Sequence, residues 1–517
     1  MSDEAPDPAP APVAPTPWLR LDPRMLLLQP LTELARFLPA LIPLLLFGTA
    51  SGFGPWAIVG VAAPLALGVA RYLTTSYRIV EGRIELRRGV LQRRTTSARL
   101  ERVRTVDMTA TLGHRVLGVS KLVIGTGTGG AGDEDDLELD GLARDRAAEL
   151  RTSLLERPGR AEGAGEAPRS GEEAPGSAAE PDVRSAPVVA ARFSPRWLLY
   201  APFTSAGFIA AAALIGFFAQ AFPSAEIDLG VDNGDVPRLG VILVVLALVA
   251  VLIAATLLVI GGYLFLNWGF TLSRLSGSWQ VRRGLTTTRE TSLDVDRVAG
   301  VSVAEGAALR IAHGARLSAI VTGLGSGGSD SAILVPPAPG AVVRDAAAAV
   351  LGSAAPVAAE LRPHGPAAVR RRWTRALTAT LPVHLLVVAA ILAFDATPFL
   401  LGISVASLAV AALLAHDRSR GLGHGWIAGY VVMRSGSLAR RRTALGGGHV
   451  IGWTVRESWF QRRVGLVTLT ATTAGGSGRT EVDDIPTSAA YRLAEEATPG
   501  LLGQFRSDQF RPELAGT

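Results

Sequence analysis

The stretches that most restrict this chain are those without a charged side chain. Residues 37–70, 198–225, 239–271, 376–394 and 396–415 contain no Asp, Glu, Lys or Arg, and about 20 apolar residues suffice for a helix to cross a bilayer. The sequence therefore predicts six spans, near residues 35–52, 55–73, 197–222, 240–266, 376–394 and 397–415. The first block holds two of them, because it is too long for one straight helix and "GTASGFGP" supplies a tight turn at its centre. The six spans fall into three hairpins.

Arginine placement orients them, since cytoplasmic flanks carry the positive excess. Arg36, Arg71, Arg192, Arg196, Arg274, Arg370, Arg371, Arg372, Arg375, Arg418 and Arg420 all lie outside the hairpins, whereas "GTASGFGP" and "FDATP" hold no basic residue and "PSAEIDLGVDNGDVPR" one against four acids. The expectation is a multi-pass protein of the inner (plasma) membrane with both termini and the three long hydrophilic segments cytoplasmic. The acidic, Ala/Pro-rich first 17 residues lack the basic start of a signal peptide. With no cysteine in the chain, disulfides, thiol nucleophiles and thiolate metal sites are excluded.

After each hairpin one sparse pattern returns. "RRGVLQRR", "RRGLTTTR" and "RSGSLARR" place Gly89, Gly284 and Gly436 at equivalent positions. An apolar residue follows 14 positions on (Val103, Val298, Val450) and another 17 on (Val106, Val301, Trp453). A second glycine comes 29, 30 and 29 positions on (Gly118, Gly314, Gly465), opening "GVSKLVI", "GARLSAI" and "GLVTLTA". Alternating residues such as Ile84, Leu86 and Arg88 read as half-buried strands, with turns at Glu81-Gly82 and Arg88-Gly89. Each repeat closes on a helical run: "GLARDRAAELRTSLLE", "GAVVRDAAAAVLG" and "TSAAYRLAEEA".

A strand meander ended by one helix and joined to a helical hairpin resembles the bacterial pleckstrin-homology-like, membrane-flanked family, above all its YdbT-like members with three such units. The Gly89 turn, "ARLERVRTV" and "HRVLGVSKLVI" carry the likeness; the third repeat departs most, with "ALGGGHVIGW" placing His449 where a basic residue precedes the anchor. The resemblance implies a small, partly open β-barrel closed at one end by its C-terminal helix. The fold class expected is thus a multi-pass α-helical membrane protein, six spans in three hairpins, with three cytoplasmic α+β PH-like domains. The parts are a disordered tail (1–17), hairpin 1 (18–73), domain 1 (74–156), a Pro/Gly/Glu/Ala-rich disordered linker (157–190), hairpin 2 (191–267), domain 2 (268–353), a linker (354–369), hairpin 3 (370–416), domain 3 (417–500) and a C-terminal tail (501–517).

Candidate chemistry is sparse. "GTGTGG" at Gly125 and "GLGSGG" at Gly323 fit a dinucleotide fingerprint, but neither leads into a helix, so both read as hairpin loops and no nucleotide is expected. "DEDD" at 133–136 lacks calcium-loop spacing and reads as a solvated tip. The seven histidines show no metal-ligand spacing and there is no nucleophile motif, so no catalytic residue, metal or cofactor is expected, and the chain reads as no enzyme. His384, inside the fifth span, reads as a neutral imidazole bridging packed helices in preference to a transport group.

The main signal is charge. Residues 77–124 carry eleven basic and four acidic side chains, 270–320 seven and four, 430–470 seven and one. A basic side chain beside an anionic leaflet gains about 1 kcal/mol, making Arg87, Arg88, Arg93, Arg94, Arg282, Arg283, Arg440, Arg441 and Arg442 the candidate headgroup contacts. The expected partners are membrane lipids, with another membrane protein of the same family as a second candidate. Nucleic acid is not expected, for want of interleaved stacking aromatics. The chain thus reads as a membrane-anchored scaffold or binding protein; the competing class is a component of a transport or export system.

Overall fold

The computed structural model of the chain describes residues 17–33, 36–37, 54–80, 82–90, 92–99, 103, 105–125, 137–155, 187–221, 238–275, 277–323, 332–394 and 398–501. All but residues 36–37 of the helix expected near 35–52, the "DEDD" tip and nearly all of the 157–190 linker lie outside these residues. The chain divides into two compact units, 1–129 with 133–177 and 178–517 with 130–132.

In the first unit, strand β1 (Leu19–Arg20) precedes the apolar helix α1 (Gly54–Thr74), which is followed by β2 (Ser76–Val80), β3 (Arg83–Arg88) and β4 (Arg94–Arg99). β1 pairs antiparallel with β2, Leu19 opposite Tyr77, giving the order β1-β2-β3-β4. A second meander joins β5 (Thr105–Ala110), helix α2 (Leu112–Leu117), β6 (Val119–Gly125) and β7 (Leu137–Ala143), and helix α3 (Arg144–Leu155) closes the unit. Strand alternation turns Tyr77, Ile84, Leu86, Val106, Leu122, Ile124, Leu137 and Leu139 inward, where Ala147 and Leu150 of α3 meet them in one core.

The second unit repeats this plan twice. Strand β8 (Val188–Arg192) leads into a 3-10 helix (Pro195–Phe203), α4 (Ser205–Ala221) and α5 (Arg238–Asn267). Then come β9 (Thr271–Leu275), β10 (Ser278–Arg283), β11 (Thr288–Asp294), β12 (Val298–Gly306), α6 (Ala307–Ile311), β13 (Gly314–Val321), β14 (Ile333–Pro339) and α7 (Gly340–Leu351). β8 pairs with β9, Val189 opposite Ser273, as β1 pairs with β2. Next, α8 (Ala355–Ala358), α9 (Pro366–Phe394) and α10 (Pro398–Gly421) lead to β15 (Gly423–Ile427), β16 (Tyr430–Ser435), β17 (Ala439–Gly446), β18 (Val450–Arg456), α11 (Trp459–Arg462), β19 (Leu466–Thr473), β20 (Arg479–Pro486) and α12 (Thr487–Ala497). Here the strand before the hairpin shrinks to one residue: Arg362 and His424 exchange both backbone hydrogen bonds, at 2.9 and 3.1 Å.

In the second unit each pair of apolar helices is therefore inserted after the first strand or bridge of a meander and does not simply precede the meander, and in the first unit α1 likewise lies between β1 and β2. This corrects the boundaries drawn from sequence. Residues 188–190, assigned to a linker, begin β8; residues 354–369, also assigned to a linker, hold α8 with buried Pro356 and Val357, the Arg362 bridge and the start of α9.

The hinge glycines earn their spacing. Gly89, Gly284 and Gly436 have φ of 131°, 113° and 94°, and a Cβ on each would stand 1.8, 2.0 and 2.3 Å from the carbonyl oxygen of Gln92, Thr287 and Ala439. Only glycine permits that turn. The second anchor needs a correction: the left-handed residue lies 29 positions on in all three repeats, at Gly118 (φ 69°), His313 (φ 58°) and Gly465 (φ 64°), so His313 and not Gly314 is the true equivalent.

Among the described residues three helical segments are long and apolar enough to cross a membrane, Val245–Asn267, Pro366–Ala393 and Leu400–Gly421; a bent pair, Pro195–Phe203 with Ser205–Phe217, makes a fourth if it counts as one span. The straight helix expected over 197–222 is thus broken by 59°, and Pro202 lies just before the break. Of α1, the apolar stretch Val61–Thr74 is shorter than a full span.

Candidate membrane-interface site

One short helix bridges the first two strands of each closing meander: α2 between β5 and β6, α6 between β12 and β13, α11 between β18 and β19. Aligned on the residues preceding them, Thr111, Gly306 and Ser458, the three share a pattern. Ser458 and Gln461 form a reciprocal cap, the Gln461 side chain accepting the Ser458 N–H at 2.9 Å. Three residues past each cap the side chain turns inward, and His114, Leu309 and Gln461 are buried. Four residues past it stands an arginine every time: Arg115, Arg310 and Arg462. Seven past it is the left-handed residue that releases the next strand.

The outward side is apolar. Leu112 and Val116 are 55% and 85% exposed, Ile311 77%, Trp459 and Phe460 56% and 65%. Single exposed apolar residues are ordinary, but here each of the three short helices carries at least one, one residue past the cap (Leu112, Trp459) or five past it (Val116, Ile311), and Trp459 and Phe460 form an aromatic pair with rings 4.9 Å apart. Arg463 stacks on this pair, its guanidinium 4.0 Å from the Trp459 ring centre.

Each short helix abuts chain that leads into or out of an apolar helix. Leu117 O accepts from Arg24 Nη1 at 3.0 Å, and Leu28 lies against Gly113, both partners coming from the segment before α1. Arg310 makes two 3.0 Å contacts to Asp417 near the C-terminus of α10. Ser458 Oγ accepts from Arg371 Nη2 at 3.3 Å; Arg371 and Arg372, near the start of α9, also clasp the buried Asp484 at 2.8 and 3.0 Å.

The arginines singled out from sequence divide. Arg93 and Arg94 are exposed at the β3–β4 turn, Arg88 stands opposite Arg94, and Arg87 reaches the Trp18 ring at 5.7 Å. Arg282 pairs with Glu290 at 3.3 Å, while Arg283 is half-buried on the same strand. Arg440 and Arg442 turn inward: Arg440 binds Asp417 at 2.8 Å, and Arg442 donates to Pro356 O and Ala359 O at 2.9 and 2.6 Å. Burial lowers the pKa of both. Arg441 alone of these three is exposed and without a side-chain partner among the described residues. In α9, His384 meets Ser404 through Nδ1 and Thr380 Oγ1 through Nε2 at 3.0 Å, so both ring nitrogens are engaged. Sequence reasoning missed the short helices. Their shared arginine three residues before the left-handed position was the available signal, hidden because the middle repeat had been aligned on Gly314.

With this architecture in view, the model of the bacterial PH domain family matches residues 33–158 and again 379–499, so the chain carries that family's domain twice. Both matches begin after the strand or bridge that precedes the hairpin, so Leu19–Arg20 and Arg362 lie outside them. No curated protein and no solved structure matches the chain.

Proposed function

We propose that the protein is a six-span inner-membrane protein with three cytoplasmic PH-like domains, a non-enzymatic scaffold whose domains rest on the anionic leaflet. Residues 188–351 make the third domain: from β9 onward their strands, short helix, turn glycine and closing helix follow the order of those in the two matched segments. The observation that carries the lipid reading is the apolar, arginine-bearing face of α11 beside the start of α9. Arg371 stands five residues before the uncharged stretch that opens at Ala376, about 8 Å along a helix. Trp459 and Phe460 therefore lie at headgroup depth, where amphipathic rings are enriched and a neighbouring arginine meets phosphate.

A chain without cysteine offers a clean test. Phe460→Cys, carrying an environment-sensitive fluorophore in the full-length protein in nanodiscs, should emit at shorter wavelength with anionic lipid than with neutral lipid. The difference should shrink with salt, because exposed charges are screened beyond about 8 Å at physiological ionic strength. A label indistinguishable in every lipid from one at Tyr491→Cys, an exposed position on α12, would count against lipid contact at α11.

A further inference from the structure

Within the second unit, β12 pairs with β17, fusing strands of two meanders into one six-stranded sheet ordered β14-β13-β12-β17-β16-β15. The side chains of β12 alternate: Val301 and Val303 enter the core, while Gly300, Ser302 and Ala304 give the other face almost no bulk. Over that face is an open cavity of about 620 Å³, within the range of small-molecule sites. The β19–β20 hairpin walls it. Its turn is fastened to the end of β13, the Gly476 N–H donating to Val321 O at 3.2 Å and the Gly323 N–H to Ala474 O at 2.7 Å.

The register sets the chemistry. Arg316 and Arg441 stand on either side of Ala304, on the two neighbouring strands, and both line the cavity. Adjacent strands are about 4.8 Å apart, so two guanidinium groups can converge over one methyl group. The next row along the sheet is Ser318, Ser302 and Thr443, a line of hydroxyls. Ser302 Oγ is buried without a hydrogen-bond partner among the described residues. The cavity's two lining carboxylates are already paired, Glu481 with Arg479, which also lines the cavity, and Asp483 with Arg372, both at 3.4 Å. Arg316 and Arg441 have neither ion pair nor side-chain hydrogen bond among the described residues.

We propose that this cavity binds a small molecule through a phosphate group held between Arg316 and Arg441, with Ser302 as a further ligand. A phosphate monoester, with three terminal oxygens and up to two negative charges, matches two guanidinium groups and a hydroxyl better than a carboxylate with two oxygens and one charge, and the remaining volume takes an organic body. The site needs only the sheet, so it stands or falls apart from the lipid contact at α11.

Titration calorimetry on the full-length protein in detergent tests it with four probes: inorganic phosphate, glycerol phosphate, a monomeric short-chain phosphatidylglycerol, and succinate. Saturable binding of phosphate-bearing probes is expected, weakened about tenfold or more in Arg316→Gln and in Arg441→Gln, as loss of one charge-assisted contact implies. Ser302→Leu should abolish binding by filling the floor, with an unchanged unfolding temperature showing that the sheet persists. Preference for glycerol phosphate assigns a soluble ligand, and preference for the phosphatidylglycerol assigns a lipid headgroup. No saturable binding of any phosphate probe, full binding in the Arg316→Gln/Arg441→Gln double variant, or equal affinity for succinate would overturn the proposal.

Discussion

His364 and His424 show what a single buried side chain can demand. Their rings lie 5.0 Å apart, tilted by 55°, beside the Arg362 bridge; each residue is under 5% exposed, and His364 Nδ1 takes part in one hydrogen bond, to Asp483 O at 3.0 Å. Burial lowers both pKa values, that of His424 to about 4, assisted there by the neighbouring His364, Arg362 and Arg492. The unfolded chain binds these protons near pH 6.5 while the folded one resists them, so stability is full above that pH and falls as pH drops toward 4. The loss should approach about 1.4 kcal/mol per pH unit for each histidine that titrates. Thermal unfolding of the detergent-solubilised protein from pH 7 to 4 should show this slope, and His424→Gln should flatten it. A flat profile in the parent would mean that the pair does not stay neutral in the fold.

At the scale of elements, the hairpin insertion gives a sharp expectation. Paired Cα atoms on antiparallel strands are about 4.5–5.5 Å apart, within disulfide reach. Val189→Cys with Ser273→Cys should therefore cross-link on mild oxidation, producing a gel-mobility shift that reducing agent reverses. Val189→Cys with Leu275→Cys, out of register, should not. Equal cross-linking of both pairs would show that β8 is not seated on β9. The sequence made the apolar blocks, the hinge glycines and the closing helices legible, because each is written in a strong local signal: absence of charge, a forced positive φ, a helical period. It concealed β1 and the Arg362 bridge, since two residues, or one, show no alternation. The β12–β17 joint was equally hidden, because edge pairing depends on which strands meet in space. The cavity followed it out of sight: Arg316 is 125 residues from Arg441, and only the register through Ala304 brings them together.

For the whole molecule, charge asymmetry predicts sidedness. Arg370, Arg371, Arg372 and Arg375 crowd the start of α9, and Arg418 and Arg420 the end of α10, while the sequence 395–397 between them carries no arginine. Reporters fused after Asp232 or Asp395 should register as external, and those near Gly165 or at the C-terminus as cytoplasmic; an external signal from Gly165 would invert the scheme. The same arrangement sets an order of assembly. A ribosome releases β8 long before β9, and under the proposed topology the intervening chain must cross the bilayer and return before the two can meet. Each domain then closes only after its hairpin is in place, so failed insertion leaves an orphan strand edge on the cytoplasmic side, a signal that quality-control proteases could read without inspecting the membrane at all.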